Sequence, residues 1–106
     1  MLNQIVLVGR LSKDIVIINE KLDVIITLAI PSLEKNSKGE YDTDFIDVVL
    51  SGEVAKNTAN YCKKNDIIGI KGKVKSFPKT NDDDFQVGRE IQIIAEKVTF
   101  LSSKSE

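Results

Sequence analysis

Histidine and tryptophan are missing from these 106 residues, and cysteine occurs once. Without histidine there is no histidine-based nucleophilic triad and no histidine-ligated metal, and one cysteine cannot build a zinc site. Nor can Cys62 close a disulfide within the chain, a usage that fits a reducing compartment. Flat rings are scarce, with four phenylalanines and two tyrosines. No apolar run has the length needed to span a bilayer. The opening MLNQIVLVGRL carries neither a basic leader nor a small-residue cleavage site, so it does not read as a secretory signal. Neither sign of charge dominates: the net charge is −1, which by itself argues against a polyanionic partner. The distribution is uneven, however. Asp82, Asp83 and Asp84 form a block, whereas residues 71–79 hold four lysines and no acid. What binds a groove is decided by the local field and not by the total.

What is present suits one soluble domain with a modest core, since 42% of residues are hydrophobic and 29% charged. Residues 5–11 (IVLVGRL) predict a first strand, with Ile5, Leu7, Gly9 and Leu11 on one face and Val6, Val8 and Arg10 on the other. Gly9 within it suggests a bend or a close backbone approach. Residues 15–18 read as a short continuation, ended by Asn19, Glu20 and Lys21. Residues 22–30 are a β-branched second strand stopped or edged by Pro31. A polar loop over 32–42 precedes a third strand at 43–50. Helical spacing of Val54, Ala55, Thr58, Ala59 and Cys62 predicts one helix over 52–64, with Ser51 as N-cap, Lys63 and Lys64 suiting its C-terminal dipole, and Asn65 as a left-handed stop. Its stripe reads as core, with Cys62 as a buried small residue. Residues 67–76 form the fourth strand, 77–89 a second long polar loop or flexible hairpin, and 90–101 the fifth strand, in which Phe100 reads as core. Five strands with a helix between the third and fourth predict an all-β, Greek-key barrel of the OB type; an open five-stranded α+β sheet and an SH3-like barrel are the alternatives.

The fourth strand carries the sharpest contrast. Ile68, Ile70, Gly72 and Val74 alternate with Gly69, Lys71, Lys73 and Lys75, and the cationic face runs on to Phe77. Repulsion along that row would be relieved by a polyanion lying across it. The row could equally be a solubilising edge that blocks strand-to-strand aggregation. In the third strand Phe45 shares a face with Asp47 and Ser51, poor core residues, which points its ring outward. Three adjacent carboxylates at Asp82, Asp83 and Asp84 cannot converge on a divalent cation without further ligands, so they read as a solvated loop. No glycine loop for phosphate and no nucleophile–base pair is visible. The residues therefore call for no cofactor and no catalytic site.

The chain resembles the bacterial single-stranded DNA-binding proteins over nearly its whole length. The likeness is carried by NQIVLVGRL at 3–11, TLA at 27–29, DFIDVVL at 44–50, the helical stretch from Ala55 to Lys64 with Ala59 and Tyr61 inside it, GIKGKV at 69–74, and AEKVTFL at 95–101. The resemblance implies an OB-fold domain over 1–101 followed by a frayed tail at 102–106. It implies sequence-tolerant binding of single strands in replication, recombination and repair, a homotetramer or a dimer, and a cytoplasmic, nucleoid-associated location. Carried over by position, contacts to DNA fall on Phe45, Lys64, Lys71, Lys73 and Lys75. Arg10, Lys13, Lys35, Lys38, Phe77 and Lys79 complete the candidate set from the outer face and the loops. The family commonly has aromatics at the positions of Glu34, Ser51 and Lys79, so stacking here should be poorer and electrostatics more important, with Phe77 substituting for one missing ring. Phe85 either joins that stack or packs the base of its loop, and Tyr41 reads as a loop residue. The acidic C-terminal segment that recruits partners in the family is absent from residues 102–106. An OB-fold accessory protein that acts mainly through protein contacts, with weak DNA binding, is the alternative; bulky aliphatics on both faces of the first strand call for a partner, and a neighbouring subunit is one.

Overall fold

Alternation in IVLVGRL requires a strand covered on one side only, and β1 (Ile5–Leu11) turns Ile5, Leu7, Gly9 and Leu11 inward while Val6, Val8 and Arg10 stay exposed. The computed structural model describes residues 1–17, 19, 21 and 23–102. After β1 come β2 (Val24–Lys35), β3 (Tyr41–Leu50), the helix α1 (Gly52–Tyr61), β4 (Ile67–Thr80) and β5 (Gln86–Ser102). The strands close in the order β1-β2-β3-β5-β4. Every seam is antiparallel except β3–β5, which is parallel at Val48–Ile93 and Val49–Ile94. This is the five-stranded barrel predicted from the element order, with the helix between the third and fourth strands.

The inward positions fill the barrel. Leu11, Leu28, Val48, Leu50, Ile68 and Ile70 are buried, and Ala55 of the helix joins them. Fully burying a side chain of this size contributes about 1.5–3 kcal/mol. Gly72 is required by a close approach: a Cβ there would lie 2.1 Å from the carbonyl oxygen of Ile94. That contact falls at the irregularity in the β4–β5 ladder between Lys71 and Gly72. Before β1, the Asn3 amide extends the ladder, accepting from the Val74 N–H (2.9 Å) and donating to the Val74 carbonyl (2.8 Å).

Two of the expected loops are strands. β2 runs through Pro31 to Lys35, and β3 begins at Tyr41, so only 36–40 turn. Pro31 is tolerated because the registered β1–β2 pairs end at Ala29, which leaves β2 an edge strand there; the ladder with β3 then shifts between Pro31 and Lys35. Likewise β4 continues to Thr80 and β5 starts at Gln86, around a turn at 81–85. The two tips share one design. Asn36 Oδ1 accepts from the N–H groups of Lys38 and Glu40, and Asn81 Oδ1 accepts from those of Asp83 and Phe85. Gly39 (φ 79°) and Asp84 (φ 64°) supply the left-handed residue in each.

The helix is shorter than its spacing predicts, ending at Tyr61 with Cys62 as its C-cap. Residues 63–66 are drawn away to β1, where Asn65 N–H donates to the Leu11 carbonyl and Leu11 N–H to the Asp66 carbonyl, both at 2.8 Å. Asn65 is left-handed (φ 81°), but in this turn and not at the helix stop. No basic residue occupies the last helical turn. Ser51 is the N-cap by backbone only; its hydroxyl donates to Asp23 (2.7 Å) instead of capping. Cys62 is half-buried at the helix end, and not buried in mid-helix as expected. Phe100 is not core: it is 47% exposed, with its ring 5.7 Å from that of Tyr61. Its ladder partner is Ile68, beside the irregularity between Ile67 and Ile68, and only the pair Ile67–Ser102 follows in the β4–β5 ladder. Of the expected continuation at 15–18, Ile15 and Ile17 pack on the core without joining a ladder. Ile18, Glu20, Leu22 and the tail residues 103–106 lie outside the described residues.

Candidate nucleic-acid interface

Because β3 and β5 run parallel, their N-terminal ends lie at one end of the barrel, and both hairpin tips project from that end. The β4–β5 arm carries the cationic row. Lys71, Lys73, Lys75 and Lys79 are exposed on the outward positions of β4, and Phe77 shares their face, partly buried. Lys73 to Lys79 covers roughly 20 Å at the strand rise. The Lys75 ammonium lies 5.3 Å from the centre of the Phe77 ring. Lys71 stands apart from the arm, level with Val6 of β1 and Lys97 of β5.

Phe45 is 67% exposed on the outer wall of β3. One row of register joins Ile67, Arg10, Ala29 and Phe45 across four strands, so Arg10 and Phe45 flank the small Ala29 from opposite sides. Arg10 is held by a hydrogen bond to the Asn65 carbonyl at 2.7 Å. Where β1 and β2 part, a groove of about 410 Å³ opens, lined by Val8, Gly9, Arg10, Ala29, Pro31, Thr43 and Ile67. Next to Phe45 on the same face, Asp47 accepts from the Thr27 hydroxyl at 2.6 Å.

The remaining candidates fall into two further groups. Lys35 and Lys38 lie on the β2–β3 hairpin, and the Lys35 ammonium sits 5.5 Å from the Tyr41 ring centre. Lys13 and Lys64 lie near the helix C-terminus, where the Lys64 N–H donates to Asp14 at 2.6 Å. The fold thus brings Phe77 together with Lys73, Lys75 and Lys79, and Phe45 with Arg10. It does not join these two sets directly: β5 lies between β3 and β4, and Arg10, although β1 pairs with β4, is level with Ile67, six residues before Lys73.

Two further residues belong to this region. Tyr41 opens β3 on the same face as Phe45, a placement that strand parity reveals once β3 is extended by two residues. Arg89, on the arm, donates from Nε to the Ser76 hydroxyl at 2.6 Å; paired with Pro78, it shares the face of Ser76 and Pro78 and so lies across the ribbon from the lysine row. Nothing in a segment that reads as polar loop signals that pairing. Asp82 and Asp83 lie in the exposed tip turn, and among the described residues no cluster of acidic or thiol side chains is placed to hold a metal. Burial, and secondarily the Asp66 carboxylate, push the Cys62 thiol up from its ordinary value. A thiol so held stays protonated and is a poor nucleophile.

Residues 2–101 match the Single-strand binding protein family. The chain belongs to that family. It is 38% identical over 107 residues to "Single-stranded DNA-binding protein 3" of Listeria innocua, covering 98% of this chain and 66% of the relative. It is 32% identical to "Single-stranded DNA-binding protein B" of Bacillus subtilis, covering 98% of this chain and 94% of the relative. Among solved structures, the single-stranded DNA-binding protein of Plasmodium falciparum in complex with single-stranded DNA superposes with a TM-score of 0.70 at 23% identity, over 96% of each chain. The mitochondrial single-stranded DNA binding protein of S. cerevisiae gives 0.69 at 13% identity, over 98% of this chain and all of that one. At such identities the likeness is one of fold, and that fold is the OB barrel. Among the described residues no helix is long and apolar enough to cross a membrane.

Proposed function

We propose that this chain binds single-stranded DNA, largely independently of sequence, as a non-enzymatic protein of replication, recombination and repair in the cytoplasm. The observation that carries the reading is the exposed row of Lys71, Lys73, Lys75 and Lys79 with Phe77 among them on one face of β4. A backbone of phosphates laid along such a row releases counterions, and rings beside it offer faces on which bases stack. In barrels of this type the face of strands 2 and 3 and the loop joining strands 4 and 5 receive oligonucleotides, and Phe45 and the β4–β5 arm occupy those places. Membership of the family supports the same reading.

Assembly with further copies, as a dimer or tetramer, is part of the proposal. Val6 and Val8 are 63% and 51% exposed, and the registered pairs of β1 with β2 begin only at Arg10. Residues 5–9 therefore present an apolar edge on that side, a template for another strand. The second reading, an accessory OB domain that works through protein contacts, draws on the exposed Tyr61–Phe100 pair beside a groove of about 310 Å³ at the helix C-terminus. A titration of labelled poly-pyrimidine at low salt decides between them. Tight binding that disappears on converting Lys71, Lys73 and Lys75 to Glu, with the fold retained, supports the row; absence of binding by the wild type overturns it.

A further inference from the structure

We propose that Asp47 reads the edge of the base stacked on Phe45 and favours cytosine and adenine, the bases with an amino group at C4 or C6; this rests on the single-strand reading above. Phe45 and Asp47 are two residues apart on the outward face of β3, a separation of about 6.8 Å. Opposite them on β2 stand Ala29 and Thr27 respectively. Ala29 is too small to cover the Phe45 ring, which is why so much of that ring remains exposed. Thr27 donates its hydroxyl to Asp47 Oδ1 at 2.6 Å, so the carboxylate is held in one orientation although it lies at the surface. Its other oxygen is left for a ligand.

An ionised carboxylate only accepts hydrogen bonds. Set beside a stacked base, it complements the amino group of cytosine or adenine and opposes the keto oxygen that thymine and uracil present at the same place. The carboxylate also repels phosphates, but that effect is the same for every base. Discrimination between bases is therefore its signature, and absolute affinity is not. Single-strand binders ordinarily draw their modest preferences from stacking and backbone flexibility, so a preference carried by a hydrogen bond would set this chain apart.

Oligo-dC and oligo-dU of equal length differ at the C4 substituent, amino in one and keto in the other. At fixed salt the wild type should bind oligo-dC about fivefold more tightly, the order of the net contribution of a single hydrogen bond. Asp47→Ala should bind both more tightly and bring the ratio to about one, since charge and acceptor are lost together. Thr27→Val keeps the charge and removes the orienting donor, and should narrow the ratio without raising affinity. Equal binding of the two homopolymers by the wild type, or a ratio unchanged in Asp47→Ala, overturns the assignment while leaving single-strand binding intact. Failure of both homopolymers to bind removes the single-strand reading and this one with it.

Discussion

Neutralising Lys73, Lys75 and Lys79 together as glutamines should lower both the affinity for single-stranded DNA and its dependence on salt. All three side chains are exposed on the outer face of β4, and Lys75 rests on the Phe77 ring. None of them forms an ion pair among the described residues, so the fold loses nothing it relies on. Surface changes of this kind usually alter stability by no more than about 0.5 kcal/mol. If each ammonium neutralises one phosphate, each contributes about 0.7 to the slope of log affinity against log salt, and the triple variant flattens that slope by about two. Extrapolated to about 1 M salt, where the ionic contribution vanishes, the two lines should meet. At about 0.1 M they should then differ by roughly two decades, or about 2.8 kcal/mol. Fluorescence anisotropy of a labelled oligonucleotide over a salt series measures this, with urea denaturation as the control for folding. A variant that is weaker by a constant factor at every salt concentration would show that the lysines act other than by contacting phosphates, and an unchanged line would show that the strand runs elsewhere.

Phe45→Ala should weaken binding by roughly 1–3 kcal/mol, the stacking contribution of one base in single-strand binders as a class. It should leave the urea midpoint nearly unchanged, since the ring is 67% exposed, and a large stability loss would contradict an outward ring. Gly72→Ala should destabilise by about 1–3 kcal/mol or more, because the added methyl meets the backbone of Ile94 and Ala95 and not a side chain that can rotate away. A wild-type denaturation midpoint for that variant would refute the close approach. Cys62 should react with iodoacetamide more slowly than a free thiol and require a higher pH, because burial and then Asp66 raise its pKa. By the same linkage the folded state holds the thiol proton longer than the unfolded chain, so its contribution to stability is lost as pH rises through the raised pKa; Cys62→Ser should remove that alkaline loss. Alkylation at the rate of free cysteine would show the thiol to be neither buried nor influenced by Asp66.

Much of the barrel was legible because its strands are covered on one face. The alternation of β1 gives the same bounds in sequence and structure, Ile5–Leu11. The outward lysines of β4 follow from the same period. Legibility ended where the coverage ended. On the two arms both faces of the ribbon meet water, so no apolar period marks residues 32–35 or 77–80, and only backbone pairing holds them as strands. The helix end was misplaced for a related reason. A turn over 63–66, closed by the Lys63 N–H on the Asp66 carboxylate, follows the helix, and it is held in place by the pairing of 65 and 66 with Leu11, more than fifty residues earlier.

The chain's own order of residues determined which side chains face outward, how many strands there are, and that one of them presents a row of cations, because the pleat repeats every two residues whatever lies beyond it. Only the closed barrel decided which outward residues became neighbours. Arg10 faces Phe45 across Ala29, Thr27 aligns Asp47, and β5 separates Phe45 from the lysine row, all through the register of strands far apart in the chain. That register is fixed by closing the sheet on itself, a condition on the whole barrel that no single stretch of sequence contains.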